Sequence, residues 1–295
     1  MKQPSGAVPS APPHTGNSPA RHEELSAVVE QHRTDLKAMF PVPPARAPRR
    51  RQAGVTAAVL LSLGAGLWWL DPAYRSEQFA TEVGQIVEVH LADNTRLVLD
   101  TDTRLSMQWH LRSRQVTLAG GRAHFDVSHS TLRPFTVDAG PAQVRVVGTR
   151  FDVWRKDAAT QVQVYQGKVA VWRSGDVPEH GVQLTPQQQT TVERAADSGD
   201  APLQVLPLDN ADPAAGQAWR QGRLVFNDTP LDQVVAALQR YRRAPVMLSD
   251  RKLATLTLSG VFETANTDQL LAMLPGMLPV RLRRTPDGGT EIRPR

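Results

Sequence analysis

The feature that most limits the fold of this chain is a change of period at Ile86. From there to Val171, apolar residues recur at every second position in short runs. Val87, Val89 and Leu91 alternate with Glu88 and His90. Leu97 and Leu99 resume the pattern after Asp93 and Asn94, which can turn the chain. Leu105, Met107, Trp109 and Leu111 follow, then Val116 and Leu118 ahead of Gly120 and Gly121. Ala123, Phe125 and Val127, Phe135 and Val137, and Val144 and Val146 continue the series. Phe151 and Val153, Val162 and Val164, and Val169 and Val171 complete it. A period of two places alternate side chains on one face of a strand. Short runs with turn signals about every 8–12 residues predict an all-β domain, a sandwich or curled sheet, over 75–193.

Within that region the segment VVGTRFDVW, residues 146–154, invites a functional reading. A phosphate loop needs a longer glycine-rich turn, a lysine and a following helix. Strand pattern lies on both sides here, so Gly148 and Thr149 are expected to form a bend or bulge. LVLDTDTR, 97–104, has no second copy to supply the paired carboxylates of an acid protease. His124 and His129 are an odd number of positions apart and would face opposite sides of a strand. The chain has no cysteine, which removes thiol nucleophiles, disulfides and cysteine zinc sites. No hydrolase, metalloprotease or nucleotide-binding motif occurs, so no enzyme, cofactor, metal site or small-molecule substrate is expected. The formal net charge is +5, but the basic residues cluster only at Arg46–Arg51, so direct nucleic-acid binding is not expected either.

Residues 53–70, AGVTAAVLLSLGAGLWWL, contain no charge. As a helix they would span roughly 27 Å, close to a hydrocarbon core of about 30 Å. Trp68 and Trp69 stand at one end, where indoles favour an interface, and Arg46, Arg49, Arg50 and Arg51 precede the other. This predicts one transmembrane helix with residues 1–52 in the cytoplasm. A cleaved signal peptide would begin near residue 1 and a core helix would show a polar face. On the cytoplasmic side, residues 1–20 read as disordered. Residues 22–40 read as an amphipathic helix with Leu25, Val28, Val29, Leu36 and Met39 on one stripe, and a basic linker follows. One such helix cannot bury its own stripe, so the stripe is a candidate face for a cytoplasmic partner; self-association and membrane-surface binding are the alternatives.

Residues 194–217 read as a linker rich in Ala, Asp, Pro and Gly. From 218 onward the pattern predicts a small α+β domain. Leu224 and Phe226 mark a strand, and Thr229 and Pro230 open a helix striped by Leu231, Val234, Val235, Leu238 and Tyr241. Strands at 246–248 and near 256–261 follow. A second helix capped by Asn266 or Thr267 runs through Leu274, and strands at 278–282 and 290–292 flank an Asp287-Gly288-Gly289 turn.

Three motifs in order give the chain a family resemblance. Gly121, Ala123, Phe125 and Val127 form the first; Arg133, Pro134, Phe135 and Val137 the second; Val146, Gly148, Thr149, Phe151 and Val153 the third. Together they resemble the FecR family of transmembrane anti-sigma regulators. Arg122 stands where that pattern usually has Glu, and Gln187 where a glycine is common. Residues 218–295 are similar to the C-terminal domain of such proteins and to the short N-terminal domains of secretins and TonB-dependent receptors. The resemblance implies a bacterial inner-membrane protein with a cytoplasmic N-terminus and periplasmic C-terminal domains. It implies a relay from an outer-membrane TonB-dependent receptor of iron-chelate uptake to an extracytoplasmic-function (ECF) sigma factor. The expected receptor contact is 218–295, by strand addition at an open sheet edge. Relatives carry a tryptophan-bearing helical domain before the membrane, whereas all six tryptophans here lie at residue 68 or later. A membrane-anchored scaffold or envelope sensor without a sigma partner is therefore the alternative.

Overall fold

The structure, a computed structural model, describes residues 26–33, 35, 39, 50–194, 202–208 and 215–295. Residues 1–20, Leu25, Leu36, Arg46 and Arg49 lie outside the described residues, as do the side chains of Arg50 and Arg51. The chain divides into two compact units between Ser62 and Leu63.

In the first unit residues 26–33 are helical, and Val28, Val29 and Met39 are exposed. Helix α1 covers Arg50–Leu70. Leu60, Leu61, Leu63, Leu67 and Leu70 are exposed along it, with Trp68 and Trp69. Among the described residues no helix is long and apolar enough to cross a membrane. The described side chains of α1 begin at Thr56, which leaves fewer residues than a crossing takes.

The second unit is mostly β-sheet. Its first strands are β1 (Ala73–Ala80), β2 (Val87–His90), β3 (Arg96–Leu99), β4 (Arg104–His110), β5 (Arg114–Asp126), β6 (Phe135–Ala139) and β7 (Ala142–Val146). Then come β8 (Arg150–Arg155), β9 (Ala159–Gln166), β10 (Val169–Arg173), β11 (Val182–Leu184), β12 (Gln188–Glu193) and β13 (Leu206–Pro207). The first half of β5 pairs with β4 and β6, in a layer that continues through β1 on one side and β7, β10 and β11 on the other. Its second half pairs with β3 and β8, in a layer that continues through β2, and through β9, β12 and β13. One core packs from both layers. Met107, Val116, Phe135 and Val144 come from the first, and Leu97, Phe125, Phe151 and Val162 from the second.

Strand β5 changes layers at its double glycine. Arg114, Val116 and Leu118 are buried before it, and Ala123 and Phe125 after it, so buried positions pass from even to odd. The β4 register slips between Arg104 and Leu105, opposite Gly120 and Leu118. One extra residue in a strand turns every later side chain to the other face. Gly121 has φ +89°, and a Cβ there would lie 2.3 Å from Thr103 Oγ1 and 2.6 Å from its Cα. Only glycine fits that approach.

The C-terminal module contains β14 (Arg223–Pro230), α2 (Leu231–Gln239), β15 (Val246–Leu248), β16 (Thr257–Glu263), α3 (Thr267–Met277), β17 (Val280–Arg284) and β18 (Thr290–Pro294). β14 pairs with β16, and β15, β18 and β17 form a second small sheet. Leu231, Val234, Leu238, Leu270, Leu274, Val280 and Ile292 fill a core separate from that of the β fold.

Several sequence expectations shift by a turn. Pro230, not Thr229, is the N-cap of α2, with no side-chain cap; the Thr229 hydroxyl instead accepts from the Asn227 N–H at 3.1 Å. Helix α3 runs past Pro275 to Met277 rather than stopping at Leu274. Leu111 falls in the turn after β4 and is exposed. The expected linker contributes β13, which pairs with β12.

Candidate functional site: a buried ionic seam

Strand β8 reads Phe151-Asp152-Val153, and all three residues are buried. Phe151 and Val153 face the inner core, as alternation requires. Asp152 therefore points outward from its layer, yet it is 1% exposed, because the C-terminal module covers it. A buried carboxylate needs donors, and four residues converge on this one through five hydrogen bonds. Arg122 reaches Oδ2 through Nη2 at 2.6 Å and Nε at 3.2 Å. His124 Nδ1 lies 2.7 Å from Oδ1. The Tyr165 hydroxyl and the Trp219 indole N–H approach Oδ2 at 3.2 and 3.3 Å. Arg220 places Nη1 2.7 Å from His124 Nε2. A guanidinium only donates, so Nε2 accepts and Nδ1 carries the proton given to Asp152.

Burial alone would raise the Asp152 pKa. The Arg122 charge, the His124 hydrogen bond and the Arg220 charge overcome it and hold the carboxyl at about 2. Burial also works against the Arg122 cation, and Asp152, Tyr165 and Asp100 more than offset it, so its pKa is raised. The Tyr165 hydroxyl is pushed up by burial and by Asp152.

A second contact lies at the end of β3. Asp100, fully buried, accepts from Tyr241 Oη at 2.8 Å, from Arg240 Nη2 at 2.6 Å and from the Thr101 N–H at 2.8 Å. The Thr101 hydroxyl donates to the Arg240 carbonyl at 2.9 Å and accepts from the Gly84 N–H at 2.8 Å. Burial and then Asp100 push the Tyr241 hydroxyl up. Aromatic rings and guanidiniums alternate between the two contacts. Arg122 lies over Trp219 at 4.6 Å and over Trp154 at 5.8 Å, and Arg240 lies over Trp154 at 4.5 Å and Tyr241 at 5.7 Å. Such stacks are worth about 0.5–2 kcal/mol each. Lys156 Nζ stands 3.9 Å from the Trp154 centroid, and its pKa is lowered by burial, then by Arg240 and Arg122.

A third polar contact holds the end of α1. Asp71, at φ +41°, accepts from the Arg112 N–H at 2.9 Å and the Ser113 hydroxyl at 3.0 Å. Its carbonyl oxygen lies 2.5 Å from His110 Nδ1. Arg112 donates to the Trp68 carbonyl at 3.3 Å and lies 5.5 Å from the Trp68 ring centroid. Among the described residues no three acidic or histidine side chains gather as a metal site. The arrangement joins parts of the chain.

Residues 77–170, from within β1 into β10, match the FecR protein family. Two crystal structures of a candidate anti-sigma factor from Parabacteroides distasonis are similar in fold at 25% identity. One has a TM-score of 0.57 and covers 75% of this chain and all of the other; the second has 0.56, 73% and 98%. No curated protein matches the chain.

The three FecR motifs meet in the core. Phe125 and Phe151 stack at 4.9 Å, and Phe135 meets Phe125 edge-on at 5.9 Å. Val127, Val137, Val146 and Val153 are buried around them. Arg133 donates to the His110 carbonyl at 2.6 Å and the Tyr74 hydroxyl at 3.0 Å, and the Pro134 carbonyl accepts from the Arg114 N–H at 3.0 Å. Residues 147–149 carry the chain from β7 in one layer to β8 in the other. A Cβ on Gly148 would lie 2.7 Å from the His129 Cα, so the constraint there is steric. Thr149 is buried beside Gly167. Gln187 adopts φ +66°, a conformation that suits glycine better. Arg122, the departure from the usual FecR pattern, is a hub of the seam. Asp100, His124, Asp152, Trp219, Arg220, Arg240 and Tyr241 form the rest, and sequence reasoning did not single them out as a site. The available signal was the outward row of β5 and β8, where Arg122, His124, Asp152 and Trp154 bring charge and aromatic surface together.

Proposed function

We propose that the chain is a membrane-anchored sigma regulator. The observation that carries this reading is the extent of its likeness to the candidate anti-sigma factor. That likeness covers 75% of this chain, far beyond the FecR match at 77–170, and all of the other protein. In this reading 53–70 within α1 is a single membrane anchor, supported by its uncharged sequence, the flanking Arg46, Arg49, Arg50 and Arg51, and its exposed apolar side chains. Residues 1–52 lie in the cytoplasm and bind an ECF sigma factor through the face of Leu25, Val28, Val29, Leu36 and Met39. Residues 75–193 and 218–295 are periplasmic domains, and 218–295 receives the signalling domain of a TonB-dependent outer-membrane receptor.

Affinity capture with the detergent-solubilised full chain tests the reading, with a chain lacking 1–52 as control. Retention of an ECF sigma factor by the full chain alone supports it; no retention by either removes the sigma role. The second reading, an anchored scaffold without a sigma partner, draws on the lack of any tryptophan before residue 68. It gains from that negative result.

A further inference from the structure

The small sheet of β15, β18 and β17 has one face packed and one open. Val246, Val280 and Ile292 are buried against the helices, with Leu248 and Leu282 beside them. The opposite face carries Arg281, Arg283, Glu291 and Arg293. The register sets Arg281 directly opposite Arg293 and Arg283 opposite Glu291. Glu291 takes Arg293 at 2.8 Å and Arg283 at 4.0 Å. One carboxylate thus serves this arginine face, and among the described residues no ion pair reaches Arg281. Like charges directly opposed on a sheet cost stability, and nothing inside the fold offsets the cost.

Strand β17 is also an edge. Among the described residues it pairs with β18 and no other strand. The Thr285 N–H donates to the Gly289 carbonyl at 3.0 Å, and the Arg295 N–H to the Pro279 carbonyl at 3.1 Å. Bonded and non-bonded pairs alternate in an antiparallel ladder. The bonded positions of β17 are therefore Arg281 and Arg283. Leu282 and Arg284 turn their N–H and C=O groups away from β18, toward the free edge.

We propose that β17 is a docking edge for an extended acidic segment of a partner protein. The incoming strand bonds to the backbone of Leu282 and Arg284, and its alternate carboxylates face Arg281 and Arg283. A second copy of this chain is the wrong occupant, because β17 against β17 sets arginine on arginine. The charges that blunt self-pairing at an edge are the ones that draw an acidic strand. The proposal rests on the reading of 218–295 as a partner contact and not on any sigma-factor role, so a failed sigma capture leaves it standing.

The test uses the full chain in detergent micelles and a fluorescein-labelled six-residue peptide alternating glutamate and valine. Fluorescence anisotropy should show saturable binding that weakens about tenfold in R281E/R283E, in line with reversing two surface charges at a contact. Binding should also weaken as salt rises from about 50 to 300 mM. Amide exchange at Leu282 and Arg284 should slow in the complex. R284P removes an edge donor but no β18 bond, so it should bind several-fold more weakly than R284Q. Tryptophan emission checks that each variant is folded. The proposal is overturned if the peptide does not bind, if a lysine–valine peptide binds as tightly, or if R281E/R283E binds unchanged. Protection at another edge, or equal affinity of R284P and R284Q, overturns it as well.

Discussion

Replacing Asp152 by Asn tests the seam at its most connected atom. In the native state the carboxyl is held at about 2 against an ordinary 3.8. That difference corresponds to about 2 kcal/mol of stability. The sign follows from a folded pKa below the unfolded one. The contribution is fully present above about pH 4 and is lost as pH falls through about 2. Asp152→Asn removes it at neutral pH and also leaves the side chain of Arg122, 12% exposed, without its carboxylate. Removing one partner of a buried ion pair costs about 3–5 kcal/mol. The amide keeps one acceptor oxygen, so a loss of about 3 kcal/mol is expected. Guanidinium denaturation followed by tryptophan emission reads it, since Trp219 touches both Asp152 and Arg122. Two internal checks follow. R122M/D152N, with both charges gone, should recover most of the loss. On acidification from pH 5 to 2 the wild type should lose about 2 kcal/mol more than D152N does. A D152N variant within about 0.5 kcal/mol of wild type, or with an unchanged acid profile, would refute the assignment of Asp152 as the counter-charge of the seam.

Three further outcomes are expected. Tyr241→Phe removes the 2.8 Å hydrogen bond to fully buried Asp100 and should cost about 1–2 kcal/mol in the same denaturation assay. Gly148→Val drives a Cβ to within 2.7 Å of the His129 backbone and should lower stability by about 2 kcal/mol or more, read as a fall in Tm. Gln187→Gly relieves a left-handed glutamine at φ +66° and should raise stability by about 0.5 kcal/mol, net of the entropy glycine adds to the unfolded chain.

The β fold was legible because its interior obeys alternation. Even the layer change was written in the sequence, as the passage from Val116 and Leu118 to Ala123 and Phe125 across two glycines. Strand β1 was not legible. Its residues AYRSEQFA carry no clear period, because most of its side chains face solvent. It is held by pairing with β4 and by the Trp109 indole, which donates to Glu77 at 2.7 Å. The seam was hidden for a related reason. Arg122, His124 and Asp152 sit on the outward positions of their strands, which in isolation read as a wetted face. Only the covering module, whose Trp219 lies 67 positions further on from Asp152, makes them interior. Long-range burial leaves no local period to read.

The distribution of polarity within the second unit bears on the proposed relay. The β fold and the C-terminal module each bury an apolar core of their own. What joins them is charged and aromatic. An apolar joint would tolerate sliding, whereas buried ion pairs are satisfied in one arrangement only, since any displacement strands a charge. β5 continues this logic along the chain. Its second half carries Arg122 and His124, against the C-terminal module. Its first residue, Arg114, follows directly on Arg112 and Ser113, which bind Asp71 at the end of α1. From Arg114 to Arg122, β5 covers roughly 26 Å at about 3.3 Å per residue. One hydrogen-bonded strand thus runs from the seam to the end of α1. A relay built this way needs no ligand pocket and no catalytic group. It needs a module that is registered by charge and a hydrogen-bonded strand that reaches the end of the helix.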